Sequence, residues 1–164
     1  MSINLQQLRL AKQYLSPFQD MLVNDIISLS KIIKGSYLND YSFIIAPLSK
    51  AYEGFLKDFF LKINLINQQQ YQSDRFRVGK VLNPSLRYKR FSVFQKLADI
   101  SPDGEELAEL LWDAWKHGRN RVFHYFPGET KNINEKHAER SIKLLLKAIV
   151  NAGQFLKDNQ NHKY

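Results

Sequence analysis

Phe43-Ile44-Ile45-Ala46-Pro47-Leu48-Ser49-Lys50-Ala51-Tyr52-Glu53-Gly54-Phe55-Leu56-Lys57-Asp58-Phe59-Phe60-Leu61-Lys62-Ile63 is the stretch that decides the fold class. Phe43, Ile44, Leu48, Ala51, Tyr52, Phe55, Leu56, Phe59 and Ile63 recur by threes and fours, which lines one face of an α-helix with apolar side chains. A central core helix is therefore expected from about Asn39 to Ile63, either starting or bending at Pro47. On its flank Ser49, Glu53 and Lys57 follow at four-residue intervals, so one carboxylate rides a polar stripe beside a deeply apolar face. Two readings of Glu53 stay open: a surface ion pair with Lys57, in the favourable order, or a carboxylate kept for chemistry.

Working outward, Ile3, Leu5, Leu8 and Leu15 suggest a short one-sided helix over Ile3–Tyr14. Ser16-Pro17 is a cap followed by a proline at the first helical position, opening a second helix that runs to Gly35. Asn64–Tyr71 reads as a loop, and Arg75–Leu82 alternates like a short extended piece within a basic connection. A further helix is expected from Tyr88 to Ile100. Ser101-Pro102-Asp103-Gly104-Glu105-Glu106 starts another, with Asp103 and Glu106 at capping-box spacing. Asn132 or Asn134 caps a last long helix carrying Ile142, Leu145, Leu146, Ile149 and Leu156, followed by a polar tail over 157–164. The expected architecture is all-α: a single helical bundle of about five to six helices with a basic connecting loop, its core spanning about 20–156.

Composition narrows the classes. Hydrophobic residues make up 44% of the 164 and charged residues 24%, ordinary globular usage, and no apolar run approaches the roughly 20 residues of a membrane span. With no cysteine there are no disulfides, thiolate metal sites or thiol nucleophile, and the N-terminus lacks a basic-then-apolar leader; a cytoplasmic protein without membrane contact is expected. The net charge of +8 favours an anionic partner. Between residues 71 and 100, Arg75, Arg77, Lys80, Arg87, Lys89, Arg90 and Lys96 face only Asp74 and Asp99, so this segment holds most of the excess. Arg87, Lys89 and Arg90 at the start of the expected helix oppose its dipole, which points to a ligand rather than to helix stability.

The apolar stripe Leu107, Leu110, Leu111, Ala114 leads into Gly118-Arg119-Asn120-Arg121-Val122-Phe123-His124-Tyr125-Phe126-Pro127-Gly128, where polar groups cluster just before a Pro-Gly stop. Asn120 and His124, four apart, lie about 40° apart around a helix, so the carboxamide can orient the imidazole. Arg119 and His124 lie about 140° apart, and only a bent helix end or a second copy brings them together. An arginine fork that clamps phosphate and a histidine that exchanges protons near neutral pH are the parts needed to transfer an RNA phosphodiester to its own 2′-hydroxyl. The bland reading of His124, a helix-terminal histidine favoured by the dipole, stands beside it. Arg121 is a solvated neighbour or an RNA contact. Trp112, Trp115, Phe123, Tyr125 and Phe126 are expected as core or interface aromatics, and His117 and His137 form no metal spacing with His124.

Arg119-Asn120-Arg121-Val122-Phe123-His124, on a late helix of an all-helical chain, resembles the ribonuclease motif of the HEPN superfamily (higher eukaryotes and prokaryotes nucleotide-binding domains). Ala51-Tyr52-Glu53-Gly54-Phe55-Leu56-Lys57 is similar to the earlier helix of RNase LS-type HEPN toxins, where an acidic residue joins the arginine and histidine. The resemblance implies a metal-independent endoribonuclease of a toxin–antitoxin or phage-defence system, acting as a homodimer and restrained by an antitoxin protein. It assigns Arg119 to the scissile phosphate, His124 to general acid or base, Asn120 to orienting it and Glu53 to tuning the proton transfer. Lys57, Arg121, Arg87, Lys89 and Arg90 are the expected RNA contacts, and no metal or cofactor is expected. The alternative is a non-catalytic HEPN-like module that binds a nucleotide, RNA or protein in the same cleft.

Overall fold

A computed structural model describes residues 1, 3–124, 127 and 132–161. Tyr125, Phe126 and Gly128 at the end of the polar cluster, and residues 162–164 of the tail, lie outside the described residues. The architecture is all-α, with no strand among the described residues. The elements are α1 (Leu5–Lys12), α2 (Pro17–Ile32), α3 (Ser42–Lys62), α4 (Gln68–Gln72), α5 (Val78–Val81), a 3₁₀ turn (Pro84–Leu86), α6 (Val93–Ala98), α7 (Pro102–Trp115), a π turn (Lys116–Asn120), α8 (Arg121–Phe123) and α9 (Glu135–Asn161).

α3 is the axis. Ile44, Ile45, Leu48, Ala51, Tyr52, Phe55, Leu56, Phe59 and Phe60 are all buried, because α2, α9 and the π turn all pack on it. Only Phe43, expected in the core, is exposed. Pro47 neither opens the helix nor ends it: α3 begins at Ser42 and runs through the proline, whose missing N–H falls within the first two turns. Tyr52, fully buried, donates its hydroxyl to the Leu111 carbonyl of α7 (2.9 Å), and burial pushes that phenol well above its ordinary range. α2 enters through a reciprocal box in which Gln19 N–H donates to Ser16 Oγ (3.4 Å) and Ser16 N–H to Gln19 Oε1 (3.0 Å). Gln19 then donates from Nε2 to Asp58 of α3 (2.7 Å), fastening the two helices at that end.

Between α3 and α7 the chain departs from expectation in three places. The Asn64–Tyr71 loop contains α4, capped reciprocally by Asn67 and Gln70; a run of glutamines has no apolar period to betray it. The Arg75–Leu82 piece is not extended, since Val78, Val81 and Leu82 turn inward together on a helical turn. The helix expected over Tyr88–Ile100 is only Val93–Ala98, since Ser92 accepts from Gln95 N–H (3.2 Å) and caps it there. Arg87, Lys89 and Arg90 therefore precede the helix in a turn and do not oppose its dipole. Nor does the Asp103–Glu106 box form: α7 starts at Pro102 behind Ser101, without a side-chain cap.

α9 begins after Asn134, whose Oδ1 accepts from His137 N–H (2.8 Å), and continues to Asn161, through the first part of the expected tail. Just before it, Ile133 is tied to the start of α3: Tyr41 N–H donates to the Ile133 carbonyl (2.8 Å), and Asp40 accepts from Ser42 N–H (2.7 Å) and Ile133 N–H (3.1 Å). Partial burial would raise the Asp40 pKa, but the hydrogen bonds from Ser42 and Ile133 outweigh it and hold the carboxyl below its ordinary 3.8. No helix of the described residues is long and apolar enough to cross a membrane.

A depressed folded pKa stabilises at pH values above the unfolded value and loses that stabilisation as pH falls through the folded one. Asp40 is exposed and screened by solvent, so Asp40→Asn is expected to lower stability only slightly at neutral pH. Urea unfolding should show this difference shrinking once the pH drops below 3.8.

Candidate active site

α7 does not end at Trp115 but widens into the π turn Lys116–Asn120. Bonds from i to i+5 displace carbonyls from the α-helical ladder, and such groups in a packed interior need new donor partners. Two hydroxyls from neighbouring helices supply them. Ser49 of α3 donates to the Gly118 carbonyl (2.6 Å), and Ser141 of α9 donates to the His117 carbonyl (3.1 Å). Both serines are buried. Gly118 is required by the closeness of α9: a Cβ there would stand 2.5 Å from Leu145 Cγ. The π turn is thus wedged between α3 and α9, carbonyls bonded on both sides.

That wedge aims Arg119 at α3. Its Nε (3.1 Å) and Nη2 (2.8 Å) both donate to Glu53 Oε2, which leaves Nη1 and Oε1 outside the pair. The guanidinium also lies over the Trp115 ring, 4.6 Å from its centroid, so the fork is held by both an aromatic ring and a carboxylate. Trp115 is itself held from behind by the backbone of α5, where a Cβ on Gly79 would collide with the indole Nε1. With side chains 35% and 30% exposed, Arg119 and Glu53 remain reachable from solvent.

Of the residues singled out by sequence, these two come together across 66 positions of chain. Glu53 pairs with Arg119 and not with Lys57, which lies a turn further along α3, half-buried. Asn120 is half-buried at the end of the π turn, and Arg121 is exposed on α8. His124 is exposed where the backbone leaves α8 in an extended conformation, so the regular helix does not continue through it. Arg87 is committed within the fold, to Gln95 (2.8 Å) and Glu105 (2.8 Å) and over the Phe94 ring; Lys89 and Arg90 are exposed. Trp115 is buried while Phe123 is exposed. Ser141 and Gly79 carry the site's geometry unannounced, and Ser49, read as part of a polar stripe, and Gly118 carry it in roles the sequence did not assign. A glycine inside a helical pattern and a serine beside Ile142 on an apolar stripe were the available signals.

Compared with known proteins, the chain matches no protein-family model, no curated protein and no solved structure.

Overpacking at the π turn should be expensive. Gly118→Ala is expected to destabilise by about 1–3 kcal/mol, more than Gly35→Asn at the exposed positive-φ turn, where a Cβ meets nothing and only the left-handed backbone strain, which Asn tolerates best, is felt. Chemical denaturation of the two variants checks this.

Proposed function

We propose that this chain is a metal-independent endoribonuclease of the HEPN type, a cytoplasmic toxin of a toxin–antitoxin or phage-defence system. The observation that supports it most is the Glu53–Arg119 ion pair, which unites the two separate stretches on which the resemblance rests. Arg119 Nη1 and, as Glu53 yields, the rest of the fork would take the phosphate oxygens of the scissile bond. His124, exposed at the end of α8, would move the proton. In the reaction the 2′-oxygen bonds to phosphorus and gives up its proton to a base, the P–O5′ bond breaks, and the leaving 5′-oxygen receives a proton. The products are a 2′,3′-cyclic phosphate and a 5′-hydroxyl. Asn120 would orient the imidazole, and Arg121, Lys57, Lys89, Arg90 and Arg87 would carry the strand, Arg87 only by giving up Glu105. A homodimer would set two such turns in one cleft, with an antitoxin protein closing it.

A second reading has its own support. In the described state Arg119 already has a carboxylate, so a module that binds RNA, a nucleotide or a protein without cutting fits the pair equally.

Purified protein should cleave single-stranded RNA in EDTA and leave the 2′-deoxy analogue intact. His124→Ala and Arg119→Ala should each lose about a hundredfold or more in rate, with unchanged helical circular dichroism. Full activity of His124→Ala would refute the assignment; binding without cleavage in the parent protein would favour the second reading. Expression should arrest growth, with rescue by either variant.

A further inference from the structure

A groove of about 270 Å³ opens on the far side of the π turn from Glu53, lined by His117, His137, Arg140, Ser141 and Leu144. Its chemistry is lopsided. His117 comes from the π turn and is half-buried; His137 and Arg140, one turn apart on α9, stand exposed at the rim. Ser141 Oγ is occupied by the His117 carbonyl, and among the described residues no carboxylate pairs with Arg140. The charges that act on His117 are Lys116 on the same turn, Arg121 on α8 and His137 on α9, against the single carboxylate of Asp113 on α7. Burial first, then Arg121, hold its pKa below the ordinary 6.5. A concave site lined by a guanidinium and two imidazoles, with no carboxylate in its lining, is short of one thing, an anion. A guanidinium fork beside two imidazoles suits the oxygens of a phosphate. The volume lies below the usual range for small-molecule pockets, which favours a phosphate and its adjoining sugar over a whole nucleotide.

We propose that this groove is a second phosphate-binding site, taking a backbone phosphate of an RNA strand other than the one at Arg119. The anion chemistry stands on the groove itself; its assignment to an RNA strand rests on the ribonuclease reading. Because the bound anion reverses the local field, His117 takes up a proton on binding. Affinity then rises as pH falls through the His117 pKa.

The test follows the imidazole signals of His117 and His137 by NMR in the full chain. Inorganic phosphate and a single-stranded 2′-deoxyoligonucleotide, which cannot be cleaved through a 2′-hydroxyl, are the probes. Both should move the two signals and raise the His117 pKa, with tighter binding at lower pH. Arg140→Ala should weaken both by about tenfold, the loss of a charge-assisted contact. Arg140→Lys should restore part of the affinity. No movement of either signal, or binding indifferent to Arg140→Ala, overturns the site. Phosphate that responds to Arg140→Ala beside an oligonucleotide that does not overturns its assignment to a nucleic-acid strand. Should the parent chain cut no RNA yet hold both probes with this Arg140 dependence, the groove is supported and the ribonuclease reading falls.

Discussion

Two serine hydroxyls hold two consecutive carbonyls of the π turn, and the geometry of the candidate site depends on that pair of bonds. A helix that widens by one bond leaves backbone acceptors out of register, and inside a packed protein each unmet acceptor costs about 1–3 kcal/mol. Ser49 from α3 and Ser141 from α9 meet them at 2.6 and 3.1 Å. α9 could not approach so closely with a side chain at Gly118, whose place is pressed against Leu145. The turn is therefore fixed in space by elements far away in sequence, and Arg119 and Asn120 inherit that placement.

The same turn separates two electrostatic environments. On the α3 side a guanidinium is matched by a carboxylate and lies over Trp115, so it is oriented at little cost in exposed positive charge. On the α9 side His117, His137 and Arg140 collect without such a match. The matched side suits a group that must be aimed, and the unmatched side suits one that only attracts. The net charge of +8 is thus not spread as a simple solvated coat. Part of it, Arg87 among the 71–100 cations, is spent inside the fold on Gln95 and Glu105, while Lys89 and Arg90 remain exposed.

Much of the fold was legible in the residues themselves. Apolar spacing by threes and fours announced α2, α3, α7 and α9, and the Ser16-Pro17 and Asn134 starts follow from side chains that bond within three residues of themselves. The failures were also local in kind. α4 has no apolar period, Val78–Leu82 is too short for alternation to be told from a helical turn, and Ser92 outbid the aromatic pattern that began at Tyr88.

For the site the division falls elsewhere. Sequence alone singled out Glu53, Arg119 and His124 as residue types in a suggestive order, and the 140° separation of Arg119 and His124 on a regular helix showed that such a helix would not suffice. Whether Glu53 would serve Lys57, four residues away, or Arg119, 66 away, could not be read from spacing, since both pairings are electrostatically favourable. Tertiary packing decided it. The π turn draws Arg119 over Trp115 and against α3, because the hydroxyls that stabilise the turn sit on α3 and α9. Interactions closing within a few residues were determined by the sequence; those that needed two distant helices to meet were decided only by the fold that brings them together.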